Sequence, residues 1–425
     1  MSNIYPFYTE NTHDQGNGLT TSAANAARDT AISKAEGRLV VDALDKIFLL
    51  EANKHPLTTL LTNVGKTLDG KSYKGAGIMK SSCTQSEFTC FEDVYGGRYA
   101  KVAVAYDAAT DPLTMTVTGA GSSSAYIFTV GDIIKNGRTG ENMRVTAIAG
   151  ANTITVSRAW GTTPITAGVS GDGIFIVGNV NAEGSGARNV NATRVNKVTN
   201  YTQIFKKTVA VTGTENASKL YGGKDLPYQR AKMAVEHAMD IERAFWFGEK
   251  KETTDATTGK PVRSTGGILE FLTSGNSYVH NQNGVLTAPD FNSYLREAFT
   301  YGSDRKVLFA GGNLIQAINE ISRGQLTTNV GDTTYGLKIS NWMTPFGEIR
   351  VVHNPLFIGE YATYGFLLDL DGESFQYKYL DGRDTKLEMN IQANDADLEA
   401  DQYITECGLF RAQAPRHSII KGVVA

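Results

Sequence analysis

Three cysteines, ten prolines and three tryptophans in 425 residues are few. Cys83, Cys90 and Cys407 do not make a disulfide framework, and the spacing of the first two is wrong for a zinc knuckle, so reduced thiols are expected. No apolar run approaches the roughly 20 residues that cross a bilayer as a helix. The opening MSNIYPFYTENTHDQGNG has neither a basic start nor an apolar centre, so no secretory signal is expected. These absences lead to the expectation of a soluble protein made in a cytoplasm, with no membrane partner. Charge of one sign is missing too. The 41 basic and 44 acidic residues leave a formal net charge of −3, with no long run of either sign. Such a balance argues against a surface built to grip nucleic acid or an acidic membrane.

Catalytic signatures are equally scarce. Neither G-x-S-x-G nor H-E-x-x-H occurs. The histidines, His13, His55, His237, His280, His353 and His417, are scattered, and nothing nominates a nucleophile, base and orienter together. The chain is therefore read as a non-enzyme with no catalytic, cofactor-binding or metal-binding residue.

What is present is a folded, loop-rich chain. Apolar residues make up 41% and glycines number 44, and the length suits two or three domains with a sizeable core. The organising stretch is Asp225 to Gly248, the longest well-formed helix. Asp225 is placed to cap it, Pro227 sits where a missing N–H costs nothing, and Gly248 stops it. Ala231, Ala234, Val235, Ala238, Ile241 and Phe245 fall on one face at helical spacing. A rod of about 30 Å follows, whose small apolar residues let a sheet approach.

Ahead of this spine, Met1 to about Arg28 is too polar to fold alone. An amphipathic helix is expected over Leu39 to Leu50, ending before Pro56, and a short piece follows at Leu57 to Val64. Ser81 to Val94 and Val198 to Val211 read as strands that form the legs of one long hairpin. Between them lie short β runs at Tyr99 to Ala105, Leu113 to Thr118, Tyr126 to Val130, Met143 to Ala149, Thr153 to Arg158 and Gly173 to Val177. Their Gly, Asn and Asp turns suggest an inserted barrel or sandwich. After the spine comes a polar loop, Glu249 to Thr265. A mixed lobe follows, with helices opened by Asp290 and Asn313 and strands at Lys306 to Phe309, Gly336 to Asn341, Glu348 to His353, Gly365 to Leu370 and Phe375 to Leu380. Gln402 to Gly422 is expected to return as a strand beside the spine.

Four stretches invite chemistry. Gly65-Lys66-Thr67-Leu68-Asp69-Gly70-Lys71-Ser72 satisfies G-x-x-x-x-G-K-S, and phosphate-loop NTPase activity is the alternative function it supports. The following Gly75 and Gly77 are a poor start for the helix whose amides would cradle phosphate. Asp369, Asp371 and Glu373 resemble the start of a calcium loop but lack its distal Glu, so a tight turn is expected. Asp395, Asp397, Glu399 and Asp401 read as a solvated acidic turn rather than a shared cation site. Gly311-Gly312 reads as a strand-to-helix turn rather than an anion site.

Phe88, Phe91, Tyr201 and Phe205 on the hairpin legs are the candidate contact residues. A two-stranded arm has no core of its own, so such side chains must pack on something else, and neighbouring copies are the expected partner. The order arm, hairpin, spine, α/β lobe resembles the major capsid proteins of tailed bacteriophages with the Hong Kong 97-type fold, in the branch typified by phage SU-ten. The carriers are Asn200-Tyr201-Thr202-Gln203-Ile204-Phe205, Val211-Thr212-Gly213-Thr214, Asp240 to Gly248, Gly266-Gly267-Ile268 and Ala310-Gly311-Gly312.

The resemblance implies an α+β fold with an N-terminal arm at 1–66 and an extended loop at 67–210 containing a β insertion at about 97–186. It implies a peripheral domain at 211–284 and 396–425 with spine 225–248, and an axial domain at 285–395. It further implies hexamers and pentamers of an icosahedral shell around double-stranded DNA held without sequence-specific binding. A separate scaffolding protein, a portal and a decoration protein are implied partners, with assembly in the host cytoplasm. A decoration or fibre subunit is the other alternative.

Overall fold

The computed structural model describes residues 55–62, 80–93, 95, 97–119, 124–188, 195–219, 223–325, 330–334, 337–370 and 374–424, with backbone alone for those between 322 and 341. The expected arm and its helix at Leu39 to Leu50 lie outside the described residues, as does Gly65 to Ser72.

The body contains two sheets. In the first, Lys80–Cys83 runs parallel to Phe375–Leu380, Leu398–Arg411 follows antiparallel, and Gln203–Thr212 forms the far edge. Lys386–Glu388 extends it by pairing with Leu398–Arg411. The long helix Asp225–Phe247 packs against this sheet. Asp225 does not cap it. It is the first helical residue, behind Lys224, and its carboxylate accepts from Gln229 Nε2 at 3.3 Å. The buried face follows the expected stripe only in part: Ile241 and Phe245 are buried, joined by Leu226, His237, Glu242 and Trp246, whereas Ala231 is exposed. Large side chains contribute more apolar area than alanines, so they decide which face turns inward. Gly248 stops the helix because space is short. Its φ is an ordinary −63°, but a Cβ there would lie 2.6 Å from the Thr265 carbonyl oxygen.

The second sheet has seven strands, in the order Tyr278–Val285, Ser418–Val424, Gly365–Leu368, Arg305–Ala310, Gly347–His353, Leu337–Thr344, Val330–Thr334. Strand alternation sends its two faces to different cores. Leu308, Ala310, Ile349 and Leu367 meet the helices Ala288–Ala298 and Gly312–Gln325. Val307, Phe309, Val352 and Phe366 meet Phe245 and Trp246 at the end of the long helix, so this second core joins both sheets. Thr287, rather than Asp290, caps the helix Ala288–Ala298, accepting from the Asp290 N–H. The C-terminal stretch divides between the sheets. Leu398–Arg411 runs beside the spine, whereas Ser418–Val424 enters the seven-stranded sheet. The polar stretch after the spine folds as a small hairpin of Lys251–Thr254 and Pro261–Ser264.

The insertion is a closed barrel in the order Tyr99–Val102, Leu113–Thr118, Thr153–Ser157, Asn142–Gly150, Asp132–Asn136, Gly173–Asn179, the last pairing back to the first. Closure removes free edges. Val102, Met115, Val117, Ile134, Val145 and Ile174 belong to its own buried core. Tyr126 to Val130 is not a strand: Ser124–Ile127 is a 3-10 turn, and the strand follows at Asp132–Asn136. Among its polar groups, Arg158 and Glu141 form a fully buried ion pair at 2.7 Å. Arg158 also donates to the carbonyls of Asp107 and Thr166.

Candidate assembly surface

Strands Glu87–Glu92 and Asn196–Tyr201 form an antiparallel ribbon that, among the described residues, has no third strand. Asn200 fastens its base. Its Oδ1 accepts the Gly266 N–H at 2.8 Å, and its Nδ2 donates to the carbonyls of Leu409 at 2.7 Å and Gly266 at 2.9 Å. A buried amide with both ends satisfied holds one geometry, so the ribbon leaves the body in a fixed direction. The Thr202 N–H closes the same base on the Ser86 carbonyl at 2.8 Å.

The four candidate contact residues part company here. Phe205 lies beyond the ribbon in the five-stranded sheet and is buried in the main core, edge-on to His237. Its side chain is taken up by its own chain, which corrects the expectation that a neighbour would cover it. Phe88 stacks on Phe410 with centroids 6.5 Å apart and is half-buried. Tyr201 carries the Lys250 ammonium 5.1 Å from its ring centre. Phe91 is different: it is 70% exposed, and Tyr95 and Val195 beyond it are exposed as well. One face of the ribbon is thus docked and the other presents apolar surface.

Several polar groups that sequence reading passed over are buried where elements meet. Glu242 on the long helix is fully buried and accepts the N–H groups of Leu57 at 3.0 Å and Thr58 at 2.7 Å, and Trp246 Nε1 at 2.8 Å. Burial raises its carboxyl above the usual range, and these donors oppose that rise. His237 Nε2 meets Thr405 Oγ1 at 2.7 Å, tying helix to sheet. Lys306 donates to the carbonyls of Ala298, Tyr301 and Arg416 at 2.6 to 2.8 Å. Burial pushes its ammonium down to about 8, so it is still charged at neutral pH. Beside it Asp369 pairs with Arg416 at 3.0 Å and accepts from Ser303. The carboxylate of the calcium-loop-like stretch is therefore engaged in joining elements, and 371–373 lie outside the described residues. Asp401 pairs with Arg230 and accepts the Asn390 N–H. Among the described residues, no group of three or more His, Cys, Asp or Glu is placed to hold a metal ion. Gly311 is explained by packing, since a Cβ would fall 2.6 Å from Ala362 Cα. No described helix is long and apolar enough to cross a membrane.

A sequence model of the SU10 major capsid protein family matches residues 11–424. The chain belongs to the SU10 major capsid protein family. Its described residues form an α+β architecture of spine helix, two-stranded ribbon, mixed lobe and inserted barrel. A curated relative, the major capsid protein of Pseudomonas phage PaMx41, is 27% identical over 304 residues, covering 68% of this chain and 70% of its own. Among solved structures, the Cyanophage A-1(L) capsid asymmetric unit is 12% identical with a TM-score of 0.47, over 93% of this chain and 100% of that one. The capsid of the native GTA particle is 8% identical with a TM-score of 0.47, over 94% and 100%. As a member of the SU10 family, the protein is a major capsid protein of a phage, a structural component of the virion shell.

Proposed function

We propose that copies of this chain close into hexamers and pentamers of an icosahedral shell around double-stranded DNA. The outer face of the ribbon, with Phe91 toward its far end and Tyr201 near its base, is the proposed contact with a neighbouring copy. The observation that carries this reading is a large aromatic side chain 70% exposed on a ribbon that has no third strand among the described residues. Covering it removes apolar area from water, and modest contacts repeated around a closed ring sum to a stable shell.

Under the same reading, residues 1–66 form an arm, 67–210 an extended loop, 211–284 with 396–425 a peripheral domain, and 285–395 an axial domain. A scaffolding protein, a portal and a decoration protein join the shell, which assembles in the host cytoplasm. The protein's work is structural rather than catalytic. Near-balanced charge suits a wall past which DNA must enter and leave. Electron microscopy of the expressed protein, alone and with a scaffold, tests the proposal. Rings, tubes or shells are expected for the wild type and isolated subunits for Phe91→Ser, while a wild-type monomer under every condition would overturn it.

A further inference from the structure

The barrel satisfies most of its charges internally. Asp132 pairs with Arg188, Asp172 with Arg138 and Glu141 with Arg158, while Arg144 lies over the Trp160 ring. Arg98, Lys101 and Lys135 are the exception. They are exposed, and among the described residues none of the three takes part in an ion pair.

Lys101 and Lys135 flank two aromatic rings, while Arg98 lies opposite Ile176 on the other face of the strand. Strand register sets Lys135, Phe175 and Tyr99 in one row across three adjacent strands, with Lys101 two residues on from Tyr99 and Arg98 just before it. The Tyr99 and Phe175 centroids are 4.9 Å apart. The neighbouring row is bare backbone, because Gly173 and Gly137 stand beside Lys101. A Cβ at Gly137 would fall 2.8 Å from the Phe175 ring, and one at Gly173 would fall 2.9 Å from the Tyr99 ring. The rings therefore lie down over the two glycines and leave a face to solvent, with Tyr99 42% and Phe175 47% exposed.

We propose that this face of the barrel binds single-stranded nucleic acid, with Tyr99 and Phe175 stacking successive bases and Lys101 and Lys135 meeting the phosphates. Aromatic side chains on adjacent strands of an open sheet face, flanked by unpaired cations, supply the two things an unstacked strand needs. A duplex keeps its bases in its own stack, out of reach of such rings. The chain's net charge of −3 is a total over the whole sequence and does not reveal so local a patch.

The test is fluorescence anisotropy of a labelled oligo-dT of about twelve nucleotides, within the span of such sites, titrated with the unassembled full-length protein. Binding is expected to weaken at least roughly tenfold in Tyr99→Ser/Phe175→Ser, as loss of base stacking implies. The log–log salt slope should be about −1.4, for two phosphate contacts on a single strand. Tyr99→Phe keeps the ring and should keep wild-type affinity. Its retention separates lost stacking from misfolding, as does an unchanged melting curve of the double variant. No binding at low salt would overturn the proposal. So would binding that the double variant retains, or equal affinity for dextran sulfate or duplex DNA, which would mark simple attraction to a polyanion.

Discussion

Glu242 Oε2 accepts the Thr58 N–H at 2.7 Å across 184 positions of sequence, inside the protein. Together with the Leu57 N–H, this places a carboxylate at the N-terminus of the short helix Pro56–Thr62, where the amides have no partner of their own. Leu57, Leu60 and Leu61 bury beside it in the main core, so the chain entering from the N-terminal region is pinned to the spine by charge and apolar contact together.

Removing the carboxylate should loosen that pin. Glu242→Ala leaves the Leu57 and Thr58 N–H groups and the Trp246 indole N–H without an acceptor, at a cost of about 3 kcal/mol or more. Glu242→Gln keeps one acceptor oxygen and should cost less. Thermal unfolding of the purified protein checks the order, and an unchanged Tm for Glu242→Ala would contradict it.

His417 makes stability depend on acid. Asp369 N–H donates to Nδ1 at 3.0 Å, so Nε2 carries the proton and faces the Ala412 carbonyl at 3.3 Å. Burial pushes the imidazole down to about 3, with Lys306 and Arg416 adding to the shift. In the unfolded chain it titrates near 6.5. Between those values the unfolded state binds the proton and the native state does not. The contribution is therefore complete above about pH 6.5 and is lost as pH falls toward 3, by up to roughly 5 kcal/mol. Denaturant melts of wild type and His417→Asn across pH 7 to 4 should show a shallower acid slope in the variant. Parallel slopes would remove His417 as the cause.

Phe91 and Phe205 should separate assembly from folding. Phe205→Ala opens a cavity in the main core and should destabilise by about 3 to 5 kcal/mol. Phe91→Ser should leave the melting temperature nearly unchanged and lower the yield of assembled particles in sedimentation. Equal loss of stability in both variants would contradict the division.

Gly248→Ala tests whether that residue is needed for space. The added Cβ meets the Thr265 carbonyl where the long helix ends, and a destabilisation of about 1 to 3 kcal/mol is expected by chemical denaturation. A stabilised variant, the usual outcome at an unstrained glycine, would refute the close-approach account.

The fold was legible where one local signal was enough. Leu113–Thr118 alternates apolar and polar residues, and its pattern faces a closed core. The span of the long helix is marked by Asp225, Pro227 and Gly248, and Ile241 and Phe245 mark part of its inward face, although small residues at regular spacing such as Ala231 imitate a buried stripe. Tyr278–Val285 escaped notice because His280, Asn281, Gln282 and Asn283 look like a loop, and only its parallel pairing with Ser418–Val424 makes it a strand. Glu242 escaped for the same reason: an acidic residue on a helix reads as solvated, and its partners are remote in sequence. Of the contact residues, aromatic character on the hairpin was visible, but which of Phe88, Phe91, Tyr201 and Phe205 the chain would cover itself depends on Phe410, Lys250 and the spine.

The central claim is that this chain presents a half-covered ribbon that a second copy completes. Cryo-electron microscopy of assembled particles tests it most directly. The prediction is that Phe91 is buried against an adjacent subunit in every ring, and a shell in which it stays open to solvent would contradict the account.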